Sequence, residues 1–199
     1  MDIGTAKPTQ EEMGGVPHHM IDVADPSEDY SVARYVDQAV PIVDDILVRG
    51  KLAIIAGGTG LYIDNLIAGR QFAPFPGRDG LRLQLQARAE TEGLPALLAE
   101  LAQVDPESAA RLHPNDAKRI IRALEVYLAT GKTISQHNRE SQAIPNRYTP
   151  LTIALSFRER SQLWARIDRR VDQMMSRGLE EEVRGLLASG ISPQCTAMQ

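Results

Sequence analysis

Two short apolar runs interrupt the otherwise helical pattern of this chain. Residues 52–56 (LAIIA) and 151–155 (LTIAL) are short, largely apolar and bounded by polar or turn-forming residues, which is typical of buried strands. The first run ends in the sequence GGTG at 57–60, and a helical pattern opens directly after it. The order helix, strand, glycine turn, helix predicts an α/β fold with a parallel sheet.

Apolar residues at helical spacing dominate the rest of the chain. A first helix follows the predicted N-cap Ser31 and ends at Gly50, and Pro41 is expected to kink or split it. Further helices are predicted at 60–68, 80–91, 94–103, 106–112, 115–130, 159–177 and 179–189. Residues 132–149 are polar and are predicted to form a loop.

A segment rich in proline and glycine divides the helical pattern. Residues 72–80 (FAPFPGRDG) are a candidate hinge, because these residues break both helices and strands. From this segment to Gly131 the pattern is wholly helical, and the predicted loop at 132–149 then leads to the second apolar run. The sequence therefore predicts an all-helical insertion over 71–149 within a discontinuous α/β core formed by 1–70 and 150–199.

The turn at 57–60 is a candidate anion site. A strand, a glycine turn and a helix N-terminus together aim backbone N–H groups and the positive end of a helix dipole at the space above the turn. Thr59 adds a hydroxyl that can hydrogen-bond a ligand there. The glycines are explained equally well by backbone geometry alone, so the pattern leaves both interpretations open.

Composition narrows the class of protein. Of 199 residues, 43% are hydrophobic and 24% are charged, as in a soluble globular protein. No apolar run approaches the length of a membrane span, and the first residues lack a signal-peptide pattern. The one cysteine, Cys195, excludes an internal disulfide, and we expect a cytoplasmic protein.

A basic cluster stands out against the net charge of −4. Lys118, Arg119 and Arg122 lie close together on the helix predicted to begin near Asn115, and positions 118 and 122 share a face. Such a cluster is either a solvated basic surface, the commoner case, or a contact for a nucleic-acid backbone. The spacing alone favours the solvated surface.

A second group of arginines occupies the predicted helix 159–177. Arg166 and Arg170 are one helical turn apart. Guanidinium groups suit the oxygen geometry of a diphosphate, so this pair is a candidate diphosphate site. The alternative is ordinary pairing with Asp168 and Asp172 on a solvated helix.

Two further motifs do not carry chemistry. His18 and His19 with Asp22 do not form a metal motif, because adjacent histidines point in different directions and no other ligand lies nearby in the sequence. The sequence GKT at 131–133 resembles the end of a phosphate-binding loop, but Val126 stands where the motif needs glycine. That segment also follows a helix rather than a strand.

Several segments together resemble one family, the bacterial tRNA dimethylallyltransferases (IPP transferases). They occur in the family's order and cover essentially the whole chain. The segments are MDIGTAKPT at 1–9, VPHHMIDVADPSEDYS at 16–31, GGTGLY at 57–62, HPNDAKRIIRALEVYLATGKT at 113–133, RIDRRVDQMMSRGLEEEV at 166–183 and CTAMQ at 195–199.

The resemblance implies a fold and a reaction. It implies a P-loop-NTPase-like parallel sheet core, incomplete in this chain, with a helical insertion. Family members transfer the dimethylallyl group of dimethylallyl diphosphate to the N6 amine of adenine 37 of tRNA, and the base is flipped out for the reaction. The implied partners are tRNA and dimethylallyl diphosphate, the implied cofactor is Mg²⁺, and we expect a monomer.

The resemblance also implies which residues act. Thr59 is expected at the reacting centre and the tRNA, and Arg82 is expected to contact tRNA. Arg166 and Arg170 are expected near the diphosphate. The residues that match the family's tRNA-contacting helix are Lys118, Arg119, Ile120, Ile121 and Arg122.

This chain departs from the family pattern at both ends. In the family, a Walker-A-like loop and the aspartate general base precede the MDIGTAKP segment, and further helices follow the CTAMQ segment. Neither part is present here. We therefore expect the 199-residue chain alone neither to bind the diphosphate properly nor to deprotonate the adenine amine.

Two other functions remain open at this point. An adenylate isopentenyltransferase would act on a free nucleotide, and a non-catalytic RNA-binding module would need only the basic helix. The helical insertion with its basic cluster favours tRNA over a free nucleotide. A small-molecule P-loop kinase is disfavoured, because that helix would then have no role.

Overall fold

A computed structural model of the chain describes residues 1–70 and 79–198. The chain divides into two compact units, one of Met1–Gly69 with Tyr148–Gln199 and the other of Arg70–Arg147. Most of the predicted hinge at 72–80 lies outside the described residues.

Helices form nearly all the regular structure of the described residues. They are α1 (Val32–Val48), α2 (Gly60–Ala68), α3 (Asp79–Thr91), α4 (Leu94–Val104), α5 (Pro106–Arg111), α6 (Ala117–Thr130), α7 (Ile134–Gln142), α8 (Arg160–Ser176) and α9 (Leu179–Ala188), with a 3₁₀ turn at Thr196–Met198. In the part of the chain described, none of them is both long and apolar enough to cross a bilayer.

The predicted helices are confirmed to within a few residues at each end, because their boundary signals are local. The Ser31 hydroxyl accepts a hydrogen bond from the Arg34 amide at 3.2 Å and begins α1. Gly69, at φ 61°, ends α2 in the left-handed conformation that favours glycine. Pro41 lies inside α1 without splitting it.

The polar segment 132–149 is not the loop that its composition predicts, because it contains α7. A capping box begins this helix. The Thr133 hydroxyl accepts from the Gln136 amide at 3.1 Å, and the Gln136 side chain accepts from the Thr133 amide at 3.0 Å. These two hydrogen bonds satisfy amides that a helix start otherwise leaves without partners, and they outweigh the low apolar content.

The prediction of an α/β fold with a P-loop-NTPase-like parallel sheet is wrong for this structure. No strand occurs in residues 1–70 or 79–198. The runs 52–56 and 151–155 form no backbone hydrogen bonds with other described residues, and their side chains are open, with Leu52 80% and Ile153 77% exposed. A strand is stabilised by the neighbour it pairs with, and here the two runs pair with nothing described.

The core of the second unit lies among α3, α4 and α6, which pack against one another. Leu97, Leu101, Ile120 and Leu124 are fully buried there. The apolar residues of α6 recur every three or four positions, so one stripe of the helix faces this core and the opposite stripe faces solvent. The whole cluster comprises Leu85, Leu97, Leu101, Ile120, Ile121, Ala123 and Leu124.

A buried carboxylate joins two helices in the same unit. One oxygen of Asp105 accepts from the Ser108 amide of α5 at 3.1 Å, and the other accepts from the Ser135 amide of α7 at 3.1 Å. The hydroxyls of Ser108 and Ser135 lie 3.0 Å apart. Burial raises the pKa of Asp105, but hydrogen bonds from Ser135 and Ser108 outweigh it and leave the pKa below its usual range.

Asp105→Ala is expected to lower the free energy of unfolding by about 1–2 kcal/mol, because both helix starts lose their acceptor. Since the pKa is depressed on folding, the ionised carboxylate adds stability that is full above its unfolded value near 3.8 and is lost as the pH falls through the folded value. Urea unfolding at pH 7 and at about pH 3 measures both effects. Asp105→Asn, which can still cap but cannot ionise, is the control. An Asn variant with wild-type pH dependence would contradict this account.

Candidate functional site

Thr59 stands at the start of α2 with a hydroxyl that the helix does not use. Its carbonyl accepts hydrogen bonds from the Tyr62 amide at 3.0 Å and the Ile63 amide at 3.2 Å, which fixes the residue as the N-cap. Its side chain makes no capping hydrogen bond and is exposed. Because helix N-caps usually use this hydroxyl, its orientation here leaves it available to a ligand.

The glycines before Thr59 leave the surface of the turn open. A Cβ atom added at Gly57 or Gly58 would meet no atom within 4 Å. Neither glycine has a positive φ, so the backbone conformation does not require glycine at these positions. Backbone strain therefore does not explain the two glycines, and the space beside them is open.

An aromatic cluster anchors the first turn of α2. The rings of Tyr35 and Tyr62 meet edge to face with centroids 4.9 Å apart. The Tyr62 hydroxyl donates to the Tyr30 carbonyl at 3.4 Å, and the Tyr30 hydroxyl donates to Gln38 at 2.7 Å. Burial raises the pKa of both Tyr30 and Tyr35, so these two tyrosines stay neutral at pH 7. In the sequence, the residue that indicates this cluster is Tyr62, which lies one helical turn after the glycines.

The basic cluster lies on the solvent-facing side of α6. Lys118, Arg119 and Arg122 are exposed. Asp116 caps the helix by accepting from the Arg119 amide at 3.2 Å, and its other oxygen pairs with the Arg119 guanidinium at 2.9 Å. Arg122 pairs with the buried Glu125 at 2.8 Å. The cluster thus contains two ion pairs. The pair of Arg119 with Asp116 lies at the surface, and the pair of Arg122 with Glu125 reaches the interior.

Ile120 and Ile121, the apolar members of the predicted tRNA-contacting segment, are buried in the core. Their side chains point away from the basic surface because α6 turns about 100° per residue. In this structure they hold the helix in place, and the three charged residues that flank them in the sequence are exposed to solvent.

Arg82 lies on α3, which packs against α6 in the same unit. It is exposed and forms no ion pair with another described residue. Leu85, three residues later, is buried in the core of the unit.

Arg166 and Arg170 lie on α8 in the other unit, the unit that contains Thr59. Both are exposed, and neither forms a hydrogen bond or ion pair within the described ranges. The alternative interpretation, pairing with Asp168 or Asp172, therefore does not hold for these two arginines in this structure. The two guanidinium groups are accessible to an anion, although no contact joins them to Thr59.

The structure brings together two of the segments that carry the family resemblance. The amides of Asp2, Ile3 and Gly4 all donate to the carboxylate of Glu182 on α9, those of Ile3 and Gly4 at 3.1 Å and 2.9 Å. Partial burial raises the pKa of Glu182, and the three amide hydrogen bonds outweigh it and lower the pKa below its usual range. Sequence reasoning missed Glu182, since a contact across 180 residues has no local signal.

A protein-held metal site is not formed by the residues described. Among them there is no group of three or more His, Cys, Asp or Glu side chains that could hold an ion. The described residues therefore do not fit a Mg²⁺ site of their own, and no step below uses the metal.

Comparison with known proteins settles the family. The family model for IPP transferase matches residues 1–199, the full length of the sequence. The chain belongs to the IPP transferase family.

Curated relatives agree along the whole chain. It is 49% identical over 200 residues to a tRNA dimethylallyltransferase of Caldanaerobacter subterraneus and 48% identical over 199 residues to one of Geobacter sulfurreducens. Both alignments cover 100% of this chain, but only 64% and 63% of those relatives. This member of the IPP transferase family thus spans less than two thirds of the length of these relatives.

Solved structures of the family are also similar. A full-length tRNA isopentenylpyrophosphate transferase of Bacillus halodurans matches with TM-score 0.62 and 42% identity, over 100% of this chain and 60% of that one. A eukaryotic dimethylallyltransferase captured acting on tRNA matches with TM-score 0.76 and 31% identity, over 98% of this chain and 48% of that one.

Thr59→Ala is expected to change the melting temperature by less than the matched cap variant Ser31→Ala. Ser31 caps α1 through its hydroxyl, so its removal is expected to cost about 1 kcal/mol, whereas the Thr59 hydroxyl makes no such bond. Thermal unfolding followed by circular dichroism compares the two. Equal destabilisation by both variants would show that Thr59 is a structural cap and that its hydroxyl is not available.

Proposed function

We propose that this chain takes part in the transfer of a dimethylallyl group from dimethylallyl diphosphate to the N6 amine of adenine 37 in tRNA. Membership of the IPP transferase family supports the reaction class. The similarity to curated tRNA dimethylallyltransferases at 48–49% identity supports tRNA as the acceptor.

The observation that carries the proposal is the exposed basic surface of α6. Lys118, Arg119 and Arg122 share the solvent-facing side of a helix whose opposite side is buried. Cationic side chains on a rigid element suit the phosphates of an RNA backbone, which contribute affinity and register. Arg82, on the neighbouring α3, adds a fourth cation to this proposed tRNA surface.

The two units have different roles in this proposal. The helical unit contacts tRNA through the four cations of the proposed tRNA surface. Ile120 and Ile121 act by holding α6 in position. The other unit contributes Thr59 and the arginine pair Arg166 and Arg170 to the reacting groups.

In the reaction, the adenine amine forms a bond to the dimethylallyl carbon as the bond to the diphosphate oxygen breaks, the diphosphate leaves, and the amine proton passes to the aspartate general base that the family resemblance implies. Negative charge develops on the diphosphate, where guanidinium groups such as Arg166 and Arg170 stabilise it most. The Thr59 hydroxyl and the open glycine turn can hydrogen-bond the reacting groups and fix their orientation.

Mg²⁺, a monomeric state and a cytoplasmic location remain expectations from the family resemblance. No residue is assigned to the ion. An adenylate isopentenyltransferase is not favoured, because the named relatives act on tRNA. An RNA-binding role without catalysis would use the same basic surface and is separated from the proposal only by an activity measurement.

A transfer assay tests the reaction. We expect radiolabel from dimethylallyl diphosphate to appear in tRNA and not in AMP when the protein carries the catalytic segments of its longer relatives. Label in AMP would support the free-nucleotide enzyme instead. Binding of tRNA with no transfer by that longer protein would leave the RNA-binding module as the better account.

Replacing Lys118 and Arg122 together by alanine is expected to weaken tRNA binding about tenfold or more and to reduce its salt dependence by about one unit of slope per lost phosphate contact. Filter binding over a range of salt concentrations measures both. The matched control is Lys132→Ala with Arg139→Ala, which removes the same charges from exposed positions of the same unit. Equal losses in the two double variants would show only a general effect of charge.

A further inference from the structure

Glu125 is a buried carboxylate to which nothing above gives a role. Among the described residues of the helical unit, it and Asp105 are the acidic side chains that are buried. Asp105 caps two helices, but Glu125 lies within α6 and caps none. A charged carboxylate in the interior is costly unless a cation and hydrogen bonds compensate it, so its presence calls for a reason.

The partner of Glu125 is Arg122, one of the cations of the proposed tRNA surface. The Arg122 Nη1 donates to Glu125 Oε2 at 2.8 Å. The side chain of Glu125 is 5% exposed and that of Arg122 is 44% exposed, so the pair extends from the interior to the surface. A guanidinium can pair with a carboxylate through one edge and contact a phosphate through another.

The neighbouring ion pair of Arg119 shows, by contrast, how the buried partner restrains the Arg122 side chain. Arg119 pairs with Asp116, but the Arg119 side chain is 75% exposed. Exposed pairs of this kind restrain an arginine weakly, because water competes and the side chain keeps most of its rotamers. The interior anchor of Arg122 instead fixes its position before a ligand arrives, which lowers the ordering that binding requires.

We propose that Glu125 is a positioning residue that holds Arg122 on the tRNA-binding surface of α6. The inference rests on the proposed function, in which Arg122 contacts a tRNA phosphate. It assigns to Glu125 no contact with tRNA of its own. The proposal predicts that Glu125 strengthens tRNA binding. A carboxylate that merely competed with phosphate for Arg122 would weaken tRNA binding instead.

The test compares tRNA binding by Glu125→Met and Glu125→Gln in the wild-type and Arg122→Ala backgrounds. Methionine fills the buried space without a strong acceptor, and glutamine keeps the acceptor without the charge. Glu125→Met is expected to weaken binding about three- to tenfold and to reduce the salt slope, and Glu125→Gln is expected to recover most of the loss. Neither substitution at position 125 is expected to change tRNA binding further once Arg122 is alanine.

The salt slope and the dependence on Arg122 are readouts that a merely structural role would not move. The inference is overturned if Glu125→Met binds as well as or better than wild type, or if it costs the same in both backgrounds. If Glu125→Met does not fold, Glu125→Leu is compared in the same two backgrounds, since a loss in the wild-type background alone supports the inference and any other result overturns it. Failure of the proposed function looks different, because then the wild-type chain does not bind tRNA or Arg122→Ala has no effect.

Discussion

Burial of one face of α6 is the constraint on which the helical unit depends. Ile120 and Leu124 fill the space between α3 and α4, and the helix cannot rotate without exposing them. The 3.6-residue period then leaves Lys118, Arg119 and Arg122 no position except the opposite side. The charged surface is thus a geometric consequence of the apolar core. The close-packed interior fixes the position of the helix and therefore of the charged residues on it.

The helices and the N-cap position of Thr59 could be predicted from the sequence, because caps, glycine stops and apolar spacing are local. Whether a sheet forms could not be predicted in this way. A run such as 151–155 has residue types that suit a strand, but it does not show which neighbouring strand would pair with it. α7 differs, because its polar composition predicts a loop whereas its local signal, the capping box of Thr133 and Gln136, begins a helix.

The candidate site shows the same division. Exposure of Lys118, Arg119 and Arg122 follows from helical spacing, whereas burial of Glu125 beside them goes against the usual behaviour of glutamate, which is rarely buried. The local signal for it is its position three residues after Arg122 and between the apolar Leu124 and Val126. Contacts such as that of Glu182 with Asp2 depend on the folded chain and lie beyond any local pattern.

That contact also has a consequence for synthesis. Asp2 leaves the ribosome 180 residues before Glu182 does. At about 5–20 residues per second, the segment around Ile3 and Gly4 waits roughly 10–40 s for the carboxylate that will order its amides. During that interval α1 and the helical unit can already fold, whereas the segment around Ile3 and Gly4 remains open to chaperones and proteases. This segment therefore becomes native later than the parts of the chain that fold through local contacts.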